Sequence, residues 1–437
     1  MKTISFAAQV PVVGKYDVVV CGGGPAGFIA AIAAARNGAK TAVIEQYGFF
    51  GGMSTAGLVV PISVFSVRGK RVIGGVPWDF VEALEAFEGG AYVEHPLNNV
   101  AIDPEKYKLI AQRMVKEAGV DMYMHSTLTG IQTKNGKVTA VTFQNKNGME
   151  AVEADYVIDC TGDGDVAAWA GVPMQEMNGE KLQPGSFIFC LDGVDTDSEL
   201  VKDAMHHRKQ NENMHSLPVR NKLNEMAKDH PEWPIFGGPW FCTLLRPGCI
   251  AINMTRTDMD ATDNRDFTDA ECRLREDIFT WAKILKENFP EFRNSYVCAT
   301  ATQAGPRETR RIKGMHTITA QEYLTGYEYP DSVSRGMHPI DIHTTDGSRQ
   351  EVRFLEQAAF VPYRSLIAEN FPNLLVAGRC ISADRQAFAS LRVQASAMGE
   401  GQAAGVAAAL CVKAGCTVQD VDVELLRNTL KDMGAIL

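Results

Sequence analysis

The sequence predicts an α/β protein: a Rossmann-like core of parallel strands and helices, interrupted by an inserted α+β domain. Three observations predict it. A strand, a glycine turn, an Ala-rich helix and a second strand follow one another within residues 16–45, about the length of one parallel β-α-β crossover. The middle of the chain, roughly 174–355, is richer in charge, Met, His and Trp and mixes strands and helices without that rhythm. From Pro372 the first texture returns. The expected division is core residues 1–173, an insertion of 174–355 and core residues 356–437.

The elements follow in order. Tyr16 to Cys21 is a short apolar strand, broken by Gly22 to Gly24. Pro25 to Asn37 reads as a buried helix with Pro in its first turn, ended by Gly38. Thr41 to Glu45 is the second strand, and Pro77–Glu88 and Asp103–Ala118 read as amphipathic helices. Asn135-Gly136 and Asn147-Gly148 suit two-residue hairpin loops between short strands. Tyr156 to Asp159 is a buried strand ending in the turn Cys160 to Asp165, where Asp163 and Asp165 are expected to cap the next helix.

In the insertion, strands are expected at Ser186–Leu191, Trp240–Leu244, Ile250–Met254 and Ser295–Ala301. Helices are expected at Ser198–Asn211, Pro218–Lys228 and Thr268–Glu287. Asn373 to Ala377 is another apolar strand, Gly399-x-Gly401-x-x-x-Gly405 reads as the start of an Ala-rich helix, and Val423–Leu430 as a terminal one.

With 53 acidic and 43 basic residues, the net charge of −10 argues against a polyanion-binding surface, so nucleic acid is not an expected partner. No apolar run reaches the roughly 20 residues that span a bilayer, and the N-terminus does not have the pattern of a cleaved signal. None of the ten cysteines forms a Cys-x-x-Cys pair, which argues against a ferredoxin cluster, a zinc ribbon and a thioredoxin dithiol. A reducing, cytoplasmic compartment is expected, and no metal is expected.

Gly22-x-Gly24-x-x-Gly27 lies between strand and helix, the context that gives such a motif meaning. Gly22 allows the tight turn, Gly24 lets the backbone approach a pyrophosphate, and Gly27 lets helix and strand pack closely. The helix starts at Pro25, which has no N–H of its own, and from Ala26 on its first turn presents free N–H groups to phosphate. Glu45, 18 residues beyond Gly27, can accept from both ribose hydroxyls and disfavours a 2′-phosphorylated cofactor. The unit therefore binds a dinucleotide, and the motif alone does not separate NAD from FAD.

Beyond this motif, the segment Glu45 to Thr55, the turn Asp159 to Asp165, Gly305 to Arg311 and the region Ala377 to Gly405 together resemble the FAD-dependent oxidoreductase family, which is allied to the glutathione-reductase-like (GR2-type) flavoproteins. The resemblance spans nearly the whole chain in the same order. It implies an FAD-binding core and an enzyme. It implies that Gly22, Gly24, Gly27 and Glu45 hold the ADP half of FAD, and that Gly51, Gly52, Met53, Ser54 and Thr55 run past the pyrophosphate and flavin edge. It places Thr161-Gly162 beside the adenosine side and Gly378-Arg379 at a second cofactor-contacting strand end, where Asp163 or Asp384 would replace the acid that relatives set on the ribitol. Many relatives carry Gly-Asp at that end, so the Arg379 contact departs from the pattern. Gly399 and Gly401 would set a helix start against the flavin N1–C2=O edge, or simply allow close packing of helices.

Substrate groups are sought outside these motifs. Arg307, Arg310 and Arg311 would share one face of a helix and could clamp a carboxylate. His338 and His343, flanking Asp341, suit a tuned general acid or base. Tyr363 sits where the chain re-enters the core. His206-His207, among Lys202, Arg208 and Lys209, reads as a solvated face.

The expected function is hydride transfer between flavin N5 and a carbon of a small polar organic substrate, in either direction. The rivals are a flavin monooxygenase and a non-catalytic FAD-binding assembly or sensor protein. No second glycine motif for a nicotinamide domain occurs, so electrons come from the substrate or from an external donor or acceptor. Homo-oligomerisation is left open.

Overall fold

In a computed structural model of the chain, residues 4, 7–67, 69–93, 99–177, 179–204, 218–344 and 350–437 are described. The core is a seven-stranded sheet. Strands Asp121–Tyr123, Thr41–Ile44, Val12–Cys21 and Gly148–Asp159 lie side by side and parallel. The long strand Gly148–Asp159 has two neighbours on one edge. Its first half pairs antiparallel with Lys137–Asn145, which pairs in turn with Thr127–Lys134. Its last three residues pair parallel with Leu374–Val376, which brings the two ends of the chain into one sheet.

Parallel strands buried on both faces need continuous apolar sequence, and Val18 to Cys21, Ala42 to Ile44 and Leu374 to Val376 supply it at 0–1% exposure. Helix Pro25–Arg36 packs on the sheet and is buried from Ala26 through Ala34. Against it lies helix Gln394–Ala414. A Cβ on Gly401 would lie 2.1 Å from the Ala26 carbonyl oxygen, and one on Gly405 would lie 2.3 Å from that of Ala30. The glycines are there because the two backbones touch.

A second, four-stranded antiparallel sheet runs in the order Phe236–Thr243, Ile250–Thr255, Phe189–Asp192, Tyr296–Thr300. Helix Asn264–Asn288 contacts it through a stripe of Ala270, Leu274, Ile278, Trp281 and Leu285. Asp263 caps that helix by accepting from the Arg265 and Asp266 amides. This is the α+β part expected from the middle of the sequence.

The segment that follows returns to the core early. The Ile312 amide donates to the Cys380 carbonyl, Ile318 bridges Ala383, and strand Ser332–Gly336 pairs with Ala359–Pro362.

Four local expectations are corrected. Residues 307–311 form no helix; they run in irregular backbone outside any helix or strand. The late Ala-rich helix starts at Gln394, with Val393 as its N-cap, not at Gly399. The second hairpin pairs Asn145 with Gly148, so its two loop residues are Lys146-Asn147. Neither Asp163 nor Asp165 caps helix Asp165–Ala170, whose N-cap is Gly164 in a left-handed conformation. Helix Glu199–Ala204 is the described part of the expected 198–211 helix, and His206-His207 lies outside the described residues.

Candidate active site

The carboxyl ends of the parallel strands open into one cavity of about 530 Å³, the place where open α/β sheets bind ligands. Backbone bonds tie the strand ends together. Gly22 donates to Ile44, Cys160 to Cys21 and Ala377 to Asp159, each at 2.8–3.0 Å. The turn residues after each strand therefore share one rim. Gly22 sits at φ +95°, where a Cβ would lie 2.5 Å from the Cys160 oxygen. Gly27 fits closely, with the Gly22 oxygen 1.8 Å from where its Cβ would stand. Gly24 differs. Its Cβ would face the cavity, with the Gly52 Cα its nearest neighbour at 4.0 Å.

Glu45 closes one end of the cavity. It is 5% exposed, and its oxygens accept from the Gly23 amide at 2.7 Å and the Tyr47 amide at 2.8 Å. Burial pushes its carboxyl up to about 7, against the pull of those amides. Gln46, Tyr47, Ser126, Thr127 and Leu128 line the same end.

The turn after Gly148–Asp159 is held by the buried Asp159 carboxylate, which accepts from the Thr161 amide and hydroxyl and the Ala167 amide. Thr161, Gly162 and Asp163 line the cavity there. Arg379 pairs with Asp163 at 2.8 Å and donates to the Pro306 carbonyl. Arg310 donates to the Asp163 carbonyl and pairs with Asp165. The acidic turn is thus neutralised by two arginines from distant segments. Gly378 lines the cavity, and its amide donates to the buried Glu400 carboxyl group at 2.9 Å.

At the far end stands the N-terminus of helix Gln394–Ala414. Val393, Gln394 and Ala397 line the cavity, and Val393 offers no side-chain cap, so the first amides of the helix are left for a ligand. Gln394 is fixed by donating to the Val59 carbonyl and accepting from the Ser54 hydroxyl. Beyond it come Arg392, Arg307, His338, Asp341 and His343, with Ser186 and Asn253 from the second sheet's side.

His343 Nε2 lies 3.1 Å from Asp341 Oδ2. Burial, and next the charge of Arg307, pushes the imidazole down to about 3 against the pull of Asp341. Burial alone would raise Asp341, but His343, Arg392 and His338 outweigh it and hold the carboxyl well below its usual range. The pair is therefore an ionised Asp341 and a neutral His343. Its proton sits on Nε2, facing the carboxylate, and Nδ1 is the basic nitrogen.

Of the residues singled out in the sequence, Gly22, Gly24, Pro25, Ala26, Glu45, Gly52, Met53, Thr161, Gly162, Asp163, Gly378, Arg379, Arg307, His338 and His343 line the cavity. Gly27, Gly51, Ser54 and Thr55 stand behind that lining; Gly51 donates to the Gly23 carbonyl and the Thr55 hydroxyl to that of Phe50. Four do not reach it. Arg310 is engaged by the acidic turn, and the buried Tyr363 hydroxyl donates to Val418 at 2.8 Å. Gly399 faces Ser334, and Gly401 faces Ala26. The three-arginine clamp fails for the same reason, since Arg311 pairs with Glu308.

Arg392 was missed, although a lone cation within the apolar run 386–411 was a signal. Ser186 and Asn253 carried none. Among the described residues, no group of His, Cys, Asp and Glu could hold a metal. No helix among them is long and apolar enough to cross a membrane.

The fold and this rim define a dinucleotide-dependent enzyme class, and comparison with known proteins narrows it. The family description "FAD dependent oxidoreductase" matches residues 17–430, and the chain belongs to that family. A digeranylgeranylglycerophospholipid reductase of Thermoplasma acidophilum is 28% identical over 172 residues, 36% of this chain and 42% of the relative. A thiamine thiazole synthase of Pyrococcus furiosus is 29% identical over 34% of this chain and 58% of the relative. The chain thus spans less than two thirds of these curated relatives. A geranylgeranyl bacteriochlorophyll reductase-like protein of Thermoplasma acidophilum superposes with a TM-score of 0.49 at 14% identity, over 96% of this chain and 83% of that one.

FAD is the cofactor of the family, and the cavity fits it. The room left at Gly24 suits a pyrophosphate, the buried Glu45 carboxylate keeps acceptor capacity for ribose hydroxyls, and two uncapped helix starts face the same space.

Proposed function

We propose that the chain is an oxidoreductase acting on a small polar organic molecule at the inner end of the cavity. The single observation that carries this reading is continuity: one cavity runs from Glu45 and the glycine turn to the His343–Asp341 pair. FAD, when bound, supplies hydride acceptance or donation at its N5. The chain's residues do the rest. Gly24 and the start of helix Pro25–Arg36 hold phosphate, Glu45 accepts from ribose, and the amides at Gln394 face developing negative charge. His343 Nδ1 takes or returns the substrate proton, while Asp341 fixes the ring and its tautomer.

The same reading assigns the four-stranded sheet and its helix to the substrate side. It keeps residues 1–173 and 356–437 as the core, and joins Ile312 to Gly336 to that core by the contacts given above. The cysteine spacing supports a reducing, cytoplasmic setting.

The test is anaerobic mixing of the yellow holoprotein with candidate substrates and with candidate electron donors. Bleaching or reoxidation of the flavin with stoichiometric product is expected. Incorporation of isotopically labelled dioxygen into product would move the reading to a monooxygenase. His343→Asn should lower kcat by about 10²–10⁴ with FAD content unchanged, and an unchanged kcat would remove His343 from the chemistry.

A further inference from the structure

The inner end of the cavity has an unusual charge balance. Arg256 and Arg307 are more than nine-tenths buried there or close behind its lining, and the Arg392 side chain is largely buried beside them, 14% exposed. Among the described residues, neither Arg256 nor Arg307 has a carboxylate partner within ion-pair distance, and Arg392 reaches only Asp341, at 3.7 Å. Asp341 is already engaged, accepting from Gln350 on one oxygen and facing His343 on the other. With His343 neutral, Asp341 is the carboxylate within ion-pair reach of these three guanidinium charges among the described residues, since the nearby Glu308 is held by Arg311 and Arg385. A buried excess of cations is costly unless something anionic completes it.

Arg307 donates to the Pro184 carbonyl through Nη1, and its remaining donors belong to a side chain that lines the cavity. Arg256 stands one layer back. Its Nη1 donates to the Ser186 hydroxyl oxygen at 2.6 Å and to the Asn253 side-chain amide oxygen Oδ1 at 2.9 Å, and its Nη2 has no partner among the described residues. Ser186 and Asn253 themselves line the cavity. Because their acceptors are turned toward Arg256, the hydroxyl proton and the amide NH₂ are what they have left to offer a ligand. The lining here is a set of donors.

We propose that this cluster is the substrate's anchor, an anion site that holds a carboxylate of an organic acid carrying one or two such groups. The inference rests on the oxidoreductase reading and names its substrate class. The planar fork of Arg307 matches a carboxylate. Burial, then the charges of Arg256 and Arg392, pushes the Arg307 guanidinium well down from its usual value, and a bound anion relieves that crowding. It also offsets the Arg307 charge that helps burial hold His343 down, moving the imidazole toward the range of a working base.

The test is titration of the FAD-loaded protein at constant ionic strength, read as perturbation of the flavin absorbance. The probes are succinate, butyrate, succinamide and inorganic phosphate. Succinate or butyrate should bind at least about tenfold more tightly than succinamide. Arg307→Gln should weaken the acids by about tenfold or more, with FAD content and melting temperature unchanged, and Arg307→Lys should restore part of the loss. Asn253→Asp, which replaces two donors by an acceptor of the same shape, should weaken the acids and leave succinamide unaffected. It serves should Arg307→Gln fail to fold.

Equal binding of acid and amide overturns the proposal, as does unchanged acid affinity in a folded variant. Phosphate binding more tightly than every carboxylate reassigns the site to a phosphorylated ligand. Loss of FAD from a folded Arg307→Gln protein reassigns Arg307 to the cofactor. A holoprotein that binds succinate but is never reduced or reoxidised sinks only the oxidoreductase reading. One that turns over uncharged substrates and ignores acids sinks only this one.

Discussion

Glu400 shows how a single buried group sets a pH dependence. Its carboxyl is fully buried in helix Gln394–Ala414, with one oxygen accepting from Gly378 and the other without a partner among the described residues. Burial pushes it up to about 8, and Glu45 is raised in the same direction. A carboxyl whose folded pKa lies above its unfolded value keeps its proton in the native state after the unfolded chain has lost it. Its contribution to stability is therefore fully present below the unfolded pKa of about 4.3 and is lost as pH rises through the folded value. Glu400→Gln keeps an acceptor for Gly378 and removes the titration. The variant should match the wild type near pH 4 and exceed it by roughly a few kcal/mol near pH 9, read from urea unfolding across pH. Parallel curves at all pH values would show that Glu400 does not titrate in this window. Gly24 and Gly27 make a second residue-scale contrast. Gly24→Val should leave folding intact and abolish FAD retention, because its side chain enters ligand space. Gly27→Val should fail to fold, because its Cβ meets the Gly22 oxygen. Far-ultraviolet circular dichroism with flavin absorbance separates the two outcomes.

Among the elements, helix Gln394–Ala414 teaches the most about what sequence patterns hide. Its glycines look like a helix start, yet the helix begins five residues earlier, at a Val N-cap with no Ser, Thr, Asp or Asn to mark it. Gly401 and Gly405 are spaced four apart because both face helix Pro25–Arg36 at the crossing. Local sequence cannot distinguish a glycine that frees amides from one that admits a neighbouring backbone. Gly405→Leu should therefore destabilise the protein by at least about 1–3 kcal/mol through overpacking, seen as a lower melting temperature in apo and holo forms alike. An effect confined to the holo form would mean that the position serves the cofactor. The Arg307–Arg311 segment makes the same point for charge. Helical spacing predicted a shared face, but Arg310, Arg311 and Arg307 go to the acidic turn, Glu308 and the cavity. Their partners lie far off in sequence for Arg310 and Arg307, and no local pattern encodes them.

At the scale of the whole molecule, the parallel core, its glycine turn and the joining of the chain's two ends were legible because each is written in continuous apolar runs and glycine spacing. The substrate end was only half legible. His343 and Arg307 stood out by residue type, whereas Ser186, Asn253 and Arg256 matter through a sheet assembled from residues 189 to 300. The cavity inherits this construction. Glu45 and Gly24 come from the first part of the chain, Arg379 and Gln394 from the last, and Asn253 from between. A ligand that contacts all of them binds only when every part is folded, so its binding energy stabilises the parts together. FAD at about 100 times its Kd adds about 2.7 kcal/mol by mass action. In calorimetry this should appear as a rise of several degrees in one shared transition, and Gly24→Val should abolish the rise. If FAD moved only one of two separate transitions, the four-stranded region would be an independent folding unit, and the cavity a surface between two bodies rather than the interior of one.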